Sequence, residues 1–173
     1  MGGRIWADSV VGEGTTFHVL LPLPSLEQSH YQDWQRLNSI DIETTSQHVG
    51  HILLVEDDSV NAMIAKKALR SSGHTVTHVT DGQQAIEHFA AHPDRYDVIL
   101  MDHHMPIMDG MQATIRLHEL YDSNTLPPII ALTANAMDGE REKYLQVGMQ
   151  DYCTKPFKKE QLNSLVQYWM MHQ

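Results

Sequence analysis

The sequence predicts an α/β fold: a five-stranded parallel sheet, doubly wound as (βα)5, with a short β-hairpin extension at its N-terminus. Two observations carry that prediction. From His51 onward, apolar runs of strand length alternate strictly with segments of helical spacing, and such alternation requires parallel strands covered by helices on both faces. Acidic, hydroxyl and lysine side chains then stand where several of the strands run out, and in open parallel sheets a ligand site lies beyond those carboxyl ends.

Residues 1–24, "MGGRIWADSVVGEGTTFHVLLPLP", read as two extended runs around "GEG", whose glycines permit a tight turn, and they end in prolines that stop a strand. Residues 25–49 are rich in Ser, Thr, Gln and His and contain no lysine, which predicts a linker, with Leu26, Trp34 and Leu37 able to line one side of a short helix. The domain proper is placed at 50–173. "HILLV" precedes "SVNAMIAKKALRSSG", where Val60, Ile64, Ala68 and Leu69 are expected to share a face and Gly73 lies where a helix would stop. "TVTHV" precedes "DGQQAIEHFAAH", and "YDVILM" precedes "GMQATIRLHELY". "PIIALT" precedes "DGEREKYLQVG", and "DYCT" precedes "KKEQLNSLVQYWMM".

Composition narrows the function classes. With 12 Lys and Arg against 22 Asp and Glu, the formal charge of −10 repels nucleic acid phosphates. No apolar run reaches the ~20 residues that cross a bilayer, and "MGGRIWADS" has neither the basic end nor the apolar centre of a signal peptide. The single cysteine, Cys153, cannot form an internal disulfide, which suits a reducing cytoplasm.

The strand ends hold the chemistry. Glu56, Asp57 and Asp58 close the first predicted strand, Asp102 the third and Thr133 the fourth, and the fifth runs out at Lys155 before Pro156. Carboxylates from neighbouring strands repel one another unless a cation lies between them, and an all-oxygen donor set with room for water favours Mg2+. An ammonium and a hydroxyl facing the same point suit the oxygens of a phosphoryl group. Other readings stay open at this stage. Asp102 alone could be a turn residue, and His103 and His104 could be transition-metal ligands, although adjacent imidazoles are poorly spaced for that. Asp109 is expected to cap the third helix, and Met108 to pack.

"LLVEDDSVN", "MDHHMPIMDG", "ALTANAM" and "DYCTKPF", in this order and spacing, resemble the receiver domain of two-component response regulators, a flavodoxin-like fold, over about residues 50–173. The resemblance implies that Asp102 is the phosphoryl acceptor. It further implies that Asp57 ligates Mg2+ directly, Glu56 through water, and His104 through its backbone carbonyl, with Asp102 also in the metal shell. Thr133 would hydrogen-bond the phosphoryl group, Lys155 would pair with it, and Tyr152 would turn inward on activation. A cis Lys155–Pro156 peptide is expected. The donor would be a phosphohistidine of a histidine kinase or of the protein's own kinase core, and the onward partner a histidine phosphotransfer domain. His104 and Asn135, two residues past Asp102 and Thr133, occupy places that tune acyl phosphate hydrolysis in receivers.

"GGRIWADSVVGEGTTFHVLLPLP" is similar to the very end of a histidine kinase catalytic domain, which implies a remnant of that ATP-binding domain followed by a receiver, as in a hybrid sensor kinase. No autonomous kinase activity is expected from this chain, since nothing here supplies the rest of that fold. A cytoplasmic location follows, with the parent protein anchored in the cytoplasmic membrane as one option. Exposed Ile5, Trp6, Phe17 and Leu20 would make strand exchange into a homodimer a hazard. Two rival classes are a metal-dependent phosphoesterase, because "DHH" is similar to a motif of the DHH family, and a receiver-shaped interaction module that is never phosphorylated. The first needs further aspartate motifs and the second predicts loss of an acidic, threonine or lysine position; neither condition is met.

Overall fold

A computed structural model describes residues 4–10, 12, 14–20, 48–122, 124–134 and 140–172. The N-terminal unit is an antiparallel hairpin of β1 (Arg4–Val10) and β2 (Gly14–Leu20), in register from Arg4 opposite Leu20 to Val10 opposite Gly14. Gly12 and Gly14 both take positive φ (88° and 107°), which a residue with a Cβ adopts only under strain. Trp6 stacks on His18 with ring centroids 4.9 Å apart. Ile5, Trp6, Phe17 and Leu20 are exposed, as expected of a two-stranded sheet, which cannot bury both its faces. The predicted linker, with Leu26, Trp34 and Leu37, lies outside the described residues except at its C-terminal end.

The second unit carries β3 (His51–Val55), α1 (Ser59–Arg70), β4 (Thr75–Val79), α2 (Gly82–Ala91) and β5 (Val98–Asp102). It continues through α3 (Gly110–Leu120), β6 (Ile129–Thr133), α4 (Glu140–Gln146), β7 (Asp151–Thr154) and α5 (Lys159–Met171). All strand pairs in this sheet are parallel, in the order β4-β3-β5-β6-β7, the doubly wound, flavodoxin-like arrangement. Successive strands are added to one side of β3 (β4) and then to the other (β5, β6, β7), so the winding of the sheet reverses between β3 and β5 and the crevice opens where those two strands end. Ile52–Val55, Val98–Met101 and Ile129–Leu132 are buried on both faces, which is why these strands read as continuous apolar runs instead of alternating ones. Each such Leu, Ile or Val contributes about 1.5–3 kcal/mol by burial.

One expectation about α1 fails. Val60 and Ile64 are 56% and 47% exposed, and the buried stripe is Ala62, Ala65, Ala68 and Leu69. Alanines at these positions let the helix axis approach the sheet closely, so the larger apolar residues are turned to solvent; side-chain size is a poor guide where close packing selects small residues. The helix does end as expected, with Gly73 at φ 91° just beyond it. Cys153 is buried and its thiol is pushed up to about 12 by burial and then by Asp151, which makes it a core residue and not a reactive one.

At the opposite end of the sheet from the crevice, His74 is buried and accepts the Gly50 N–H on Nδ1 (3.3 Å). Burial holds its pKa below the ordinary 6.5, with Asp97 opposing; His51 is shifted down too, by burial and then Arg95, again against Asp97. A lowered folded-state pKa means that the unfolded chain takes up the proton first. Stability from these groups is therefore complete above 6.5 and is lost as the pH falls toward the folded-state values. Urea midpoints should be lower at about pH 5.5 than at about pH 7.5, and the drop should be smaller in His74→Asn.

Candidate functional site

The site forms where β3, β5, β6 and β7 end. Hydrogen bonding of β5 to β6 sets Asp102 opposite Leu132, one residue short of Thr133, and Thr133 in turn pairs with Thr154, next to Lys155. Two backbone bonds tie these ends together: His103 N–H donates to the Leu132 carbonyl (3.0 Å), and Lys155 N–H to that of Thr133 (2.7 Å). Parallel pairing thus brings residues 56, 102, 133 and 155 to one crevice although the chain separates them widely.

Three carboxylates gather there. Glu56, Asp57 and Asp102 each present an oxygen, and these oxygens lie within 4.8 Å of one another. Glu56 and Asp102 are buried, whereas Asp57 is exposed. The Lys155 ammonium lies 2.6 Å from Glu56 Oε2 and 2.9 Å from Asp102 Oδ1, so one cation is shared by two buried anions. Glu56 Oε1 also accepts from Asn61 Nδ2 (3.3 Å), while Oε2 meets the ammonium by distance without a hydrogen bond of good geometry. Burial raises the Glu56 pKa; the Lys155 ammonium opposes this and the Asp102 charge adds to it. A donor set of three carboxylates, one open to water, fits a hard divalent cation such as Mg2+.

The residues predicted from sequence separate into those the fold assembles and those it uses elsewhere. Glu56, Asp57, Asp102 and Lys155 are together, and Thr133 stands buried at the next strand end. Asp58 instead caps α1, accepting from Val60 N (3.0 Å) and Asn61 N (2.8 Å). Asp109 caps α3 through Gln112 N (2.8 Å), and Gly110 follows it because a Cβ there would collide with the Asp102 carbonyl oxygen. His104 is an exposed residue of the loop after β5, and its ring lies 4.0 Å from that of His103. Neither imidazole belongs to a cluster of possible metal ligands among the described residues. Tyr152 is half-buried on β7, and the Lys155–Pro156 peptide is cis. Asn135 lies outside the described residues.

The family model of the response regulator receiver domain matches residues 52–167. The chain belongs to the receiver family. Among curated relatives, it is 31% identical over 170 residues to the aerobic respiration control sensor protein ArcB of Escherichia coli K12, an alignment that covers 98% of this chain and 21% of ArcB. The sensor histidine kinase GacS of Pseudomonas protegens is 38% identical over 137 residues, covering 78% of this chain and 15% of GacS. The chain therefore spans about a fifth or less of these sensors. Among solved structures, the receiver domain of sensor histidine kinase PA1611 from Pseudomonas aeruginosa PAO1 is 46% identical with a TM-score of 0.63. It covers 72% of this chain and 99% of that one, and holds a magnesium ion in its active site cleft. As a receiver domain, this chain is a module of two-component phosphorelay signalling, and its relatives include a hybrid signal transduction histidine kinase of Dictyostelium discoideum.

Two residues of the receiver's site escaped sequence reasoning. Asn61 supports Glu56 from the first turn of α1, and its place five residues past the acid could have flagged it. Tyr144, whose hydroxyl is 3.0 Å from both Thr133 Oγ1 and His103 Nδ1, carried no such signal, because a tyrosine in an amphipathic helix ordinarily reads as core.

Proposed function

We propose that Asp102 is the phosphoryl acceptor of a hybrid sensor kinase receiver, and that the group passes onward to a histidine phosphotransfer domain. The observation that supports this best is the single Lys155 ammonium reaching both Asp102 and Glu56 beside an exposed Asp57. An Asp102 carboxylate oxygen forms the P–O bond as the P–N bond of a phosphohistidine breaks, with the electron pair leaving on the imidazole nitrogen. Lys155 then pairs with a phosphoryl oxygen, and Thr133 donates its hydroxyl to another. Asp57, with Asp102, Glu56 through water and the His104 carbonyl, would hold Mg2+, which when bound neutralises charge on donor and acceptor oxygens. Tyr152 is the aromatic that responds when Thr133 moves.

The N-terminal hairpin is read as a remnant of the kinase ATP-binding domain, residues 25–49 as a linker and 50–173 as the receiver. The ArcB alignment, which extends over 98% of this chain, supports that division. A cytoplasmic site of action goes with it, and no helix among the described residues is long and apolar enough to cross a membrane. Val60 and Met63 stand exposed in α1, directly after the acidic cluster, and Ile107 is 83% exposed in the loop after β5. They offer an apolar rim to the helices of a phosphodonor or phosphotransfer partner.

Beryllofluoride, a phosphoryl mimic, should bind in calorimetry only when Mg2+ is present. Asp57→Asn should weaken Mg2+ binding by more than about 10-fold, the lower bound for mere outer partners of a metal ligand, and abolish binding of the mimic. Mimic binding that persists in Asp57→Asn or without Mg2+ would remove the metal site from this account.

A further inference from the structure

Tyr144 connects three elements of the site that the receiver reading treats as separate. It is 1% exposed on α4. Its hydroxyl donates to Thr133 Oγ1 at 3.0 Å and lies 3.0 Å from His103 Nδ1, in the residue that follows Asp102. With the single phenolic proton spent on Thr133, the second contact is satisfied by Nδ1–H of His103 donating to the phenolic oxygen. The same ring stands edge-on to His103, with centroids 5.4 Å apart at 88°. It also lies 6.3 Å from the ring of Tyr152, inclined at 32°. Tyr144 and Thr133 are buried and His103 and Tyr152 half-buried against the tyrosine, and side chains packed in this way do not shift independently. One tyrosine therefore senses the acceptor loop, the β6 threonine and the β7 aromatic together.

We propose that Tyr144 is a positioning residue that holds Thr133 in the unphosphorylated arrangement, so that engaging a phosphoryl group requires Thr133 to give up the tyrosine hydroxyl. This rests on the receiver reading and adds to it a hydrogen bond that opposes activation. Release of the bond leaves the Tyr144 hydroxyl its contact with His103 and loosens α4 from the β6 end. The structural response then begins at α4, next to Tyr152.

Tyr144→Phe keeps the ring and removes the hydroxyl. It should tighten Mg2+-dependent beryllofluoride binding about 2- to 12-fold, the range for one neutral buried hydrogen bond. A double-mutant cycle separates this from packing: in a Thr133→Val background, which binds the mimic more weakly, Tyr144→Phe should change the affinity no further. Amide spectra of each variant establish that it is folded. An equal gain in both backgrounds would mean that the tyrosine acts through packing, and unchanged or weaker binding in Tyr144→Phe would mean that its hydroxyl does not oppose activation; either result overturns the proposal alone. Failure of the parent chain to bind the mimic while it binds Mg2+ would overturn the receiver reading, and this proposal with it.

Discussion

Asp102→Asn is expected to take no phosphoryl group from any donor while remaining folded. The amide oxygen that replaces the carboxylate is too poor a nucleophile to displace a leaving group at phosphorus. Little else in the site should change. Asp102 shares the Lys155 ammonium with Glu56, at 2.9 Å and 2.6 Å respectively, so Lys155 keeps an anionic partner after the substitution. The Asp102 charge also contributes to raising the Glu56 pKa, and removing it relieves that repulsion. Stability should change by less than about 1 kcal/mol, in the stabilising direction where repulsion dominates. Labelling of the variant measured by mass, beside its urea midpoint, checks both halves; retained labelling would place the acceptor elsewhere.

Lys155→Ala should have the largest effect on stability. Its ammonium is the cation that makes two buried carboxylates tolerable: Glu56 is 1% exposed and Asp102 6%. Breaking a buried charge pair by deleting one partner costs about 3–5 kcal/mol, because the remaining charge stays desolvated. Here two like charges would remain. Two conditions should restore part of the loss. Mg2+ supplies the missing positive charge. Lower pH also helps, since a Glu56 pKa already raised by burial rises further without the lysine; a raised folded-state value means that stability returns as the pH falls and Glu56 takes up its proton. Urea unfolding with and without Mg2+ measures this directly. A variant as stable as the parent in the absence of Mg2+ would show that Lys155 is not compensating those charges. Even with Mg2+ restored, the variant should lose the coupling between phosphorylation and the surroundings of Tyr152.

The parts of the receiver legible in the sequence were those encoded by short-range pattern. The central strands announced themselves because burial on both faces leaves no polar position in Ile52–Val55 or Val98–Met101. Glu56, Asp102, Thr133 and Lys155 were legible because each ends its own strand, and parallel pairing brings strand ends together whatever the intervening length. The α1 face was misread because Val60 and Ile64 are large and Ala62 and Ala65 small, while closeness to the sheet selected for size and not for hydrophobicity. Asp58 belongs to the same acidic run as Glu56 and Asp57, but it caps α1 through Val60 and Asn61. Tyr144 was beyond reach of the sequence, since its meeting with His103, 41 residues away, depends on how α4 seats against the ends of β5 and β6.

The central claim is that Asp102 forms an acyl phosphate. It is tested most directly by the intact mass of the parent chain and Asp102→Asn after incubation with Mg2+ and phosphoramidate, a small P–N donor, followed by hydroxylamine. One phosphoryl adduct is expected on the parent, dependent on Mg2+, removed by hydroxylamine and absent from the variant. An adduct that resists hydroxylamine, or one that appears equally on Asp102→Asn, would contradict it.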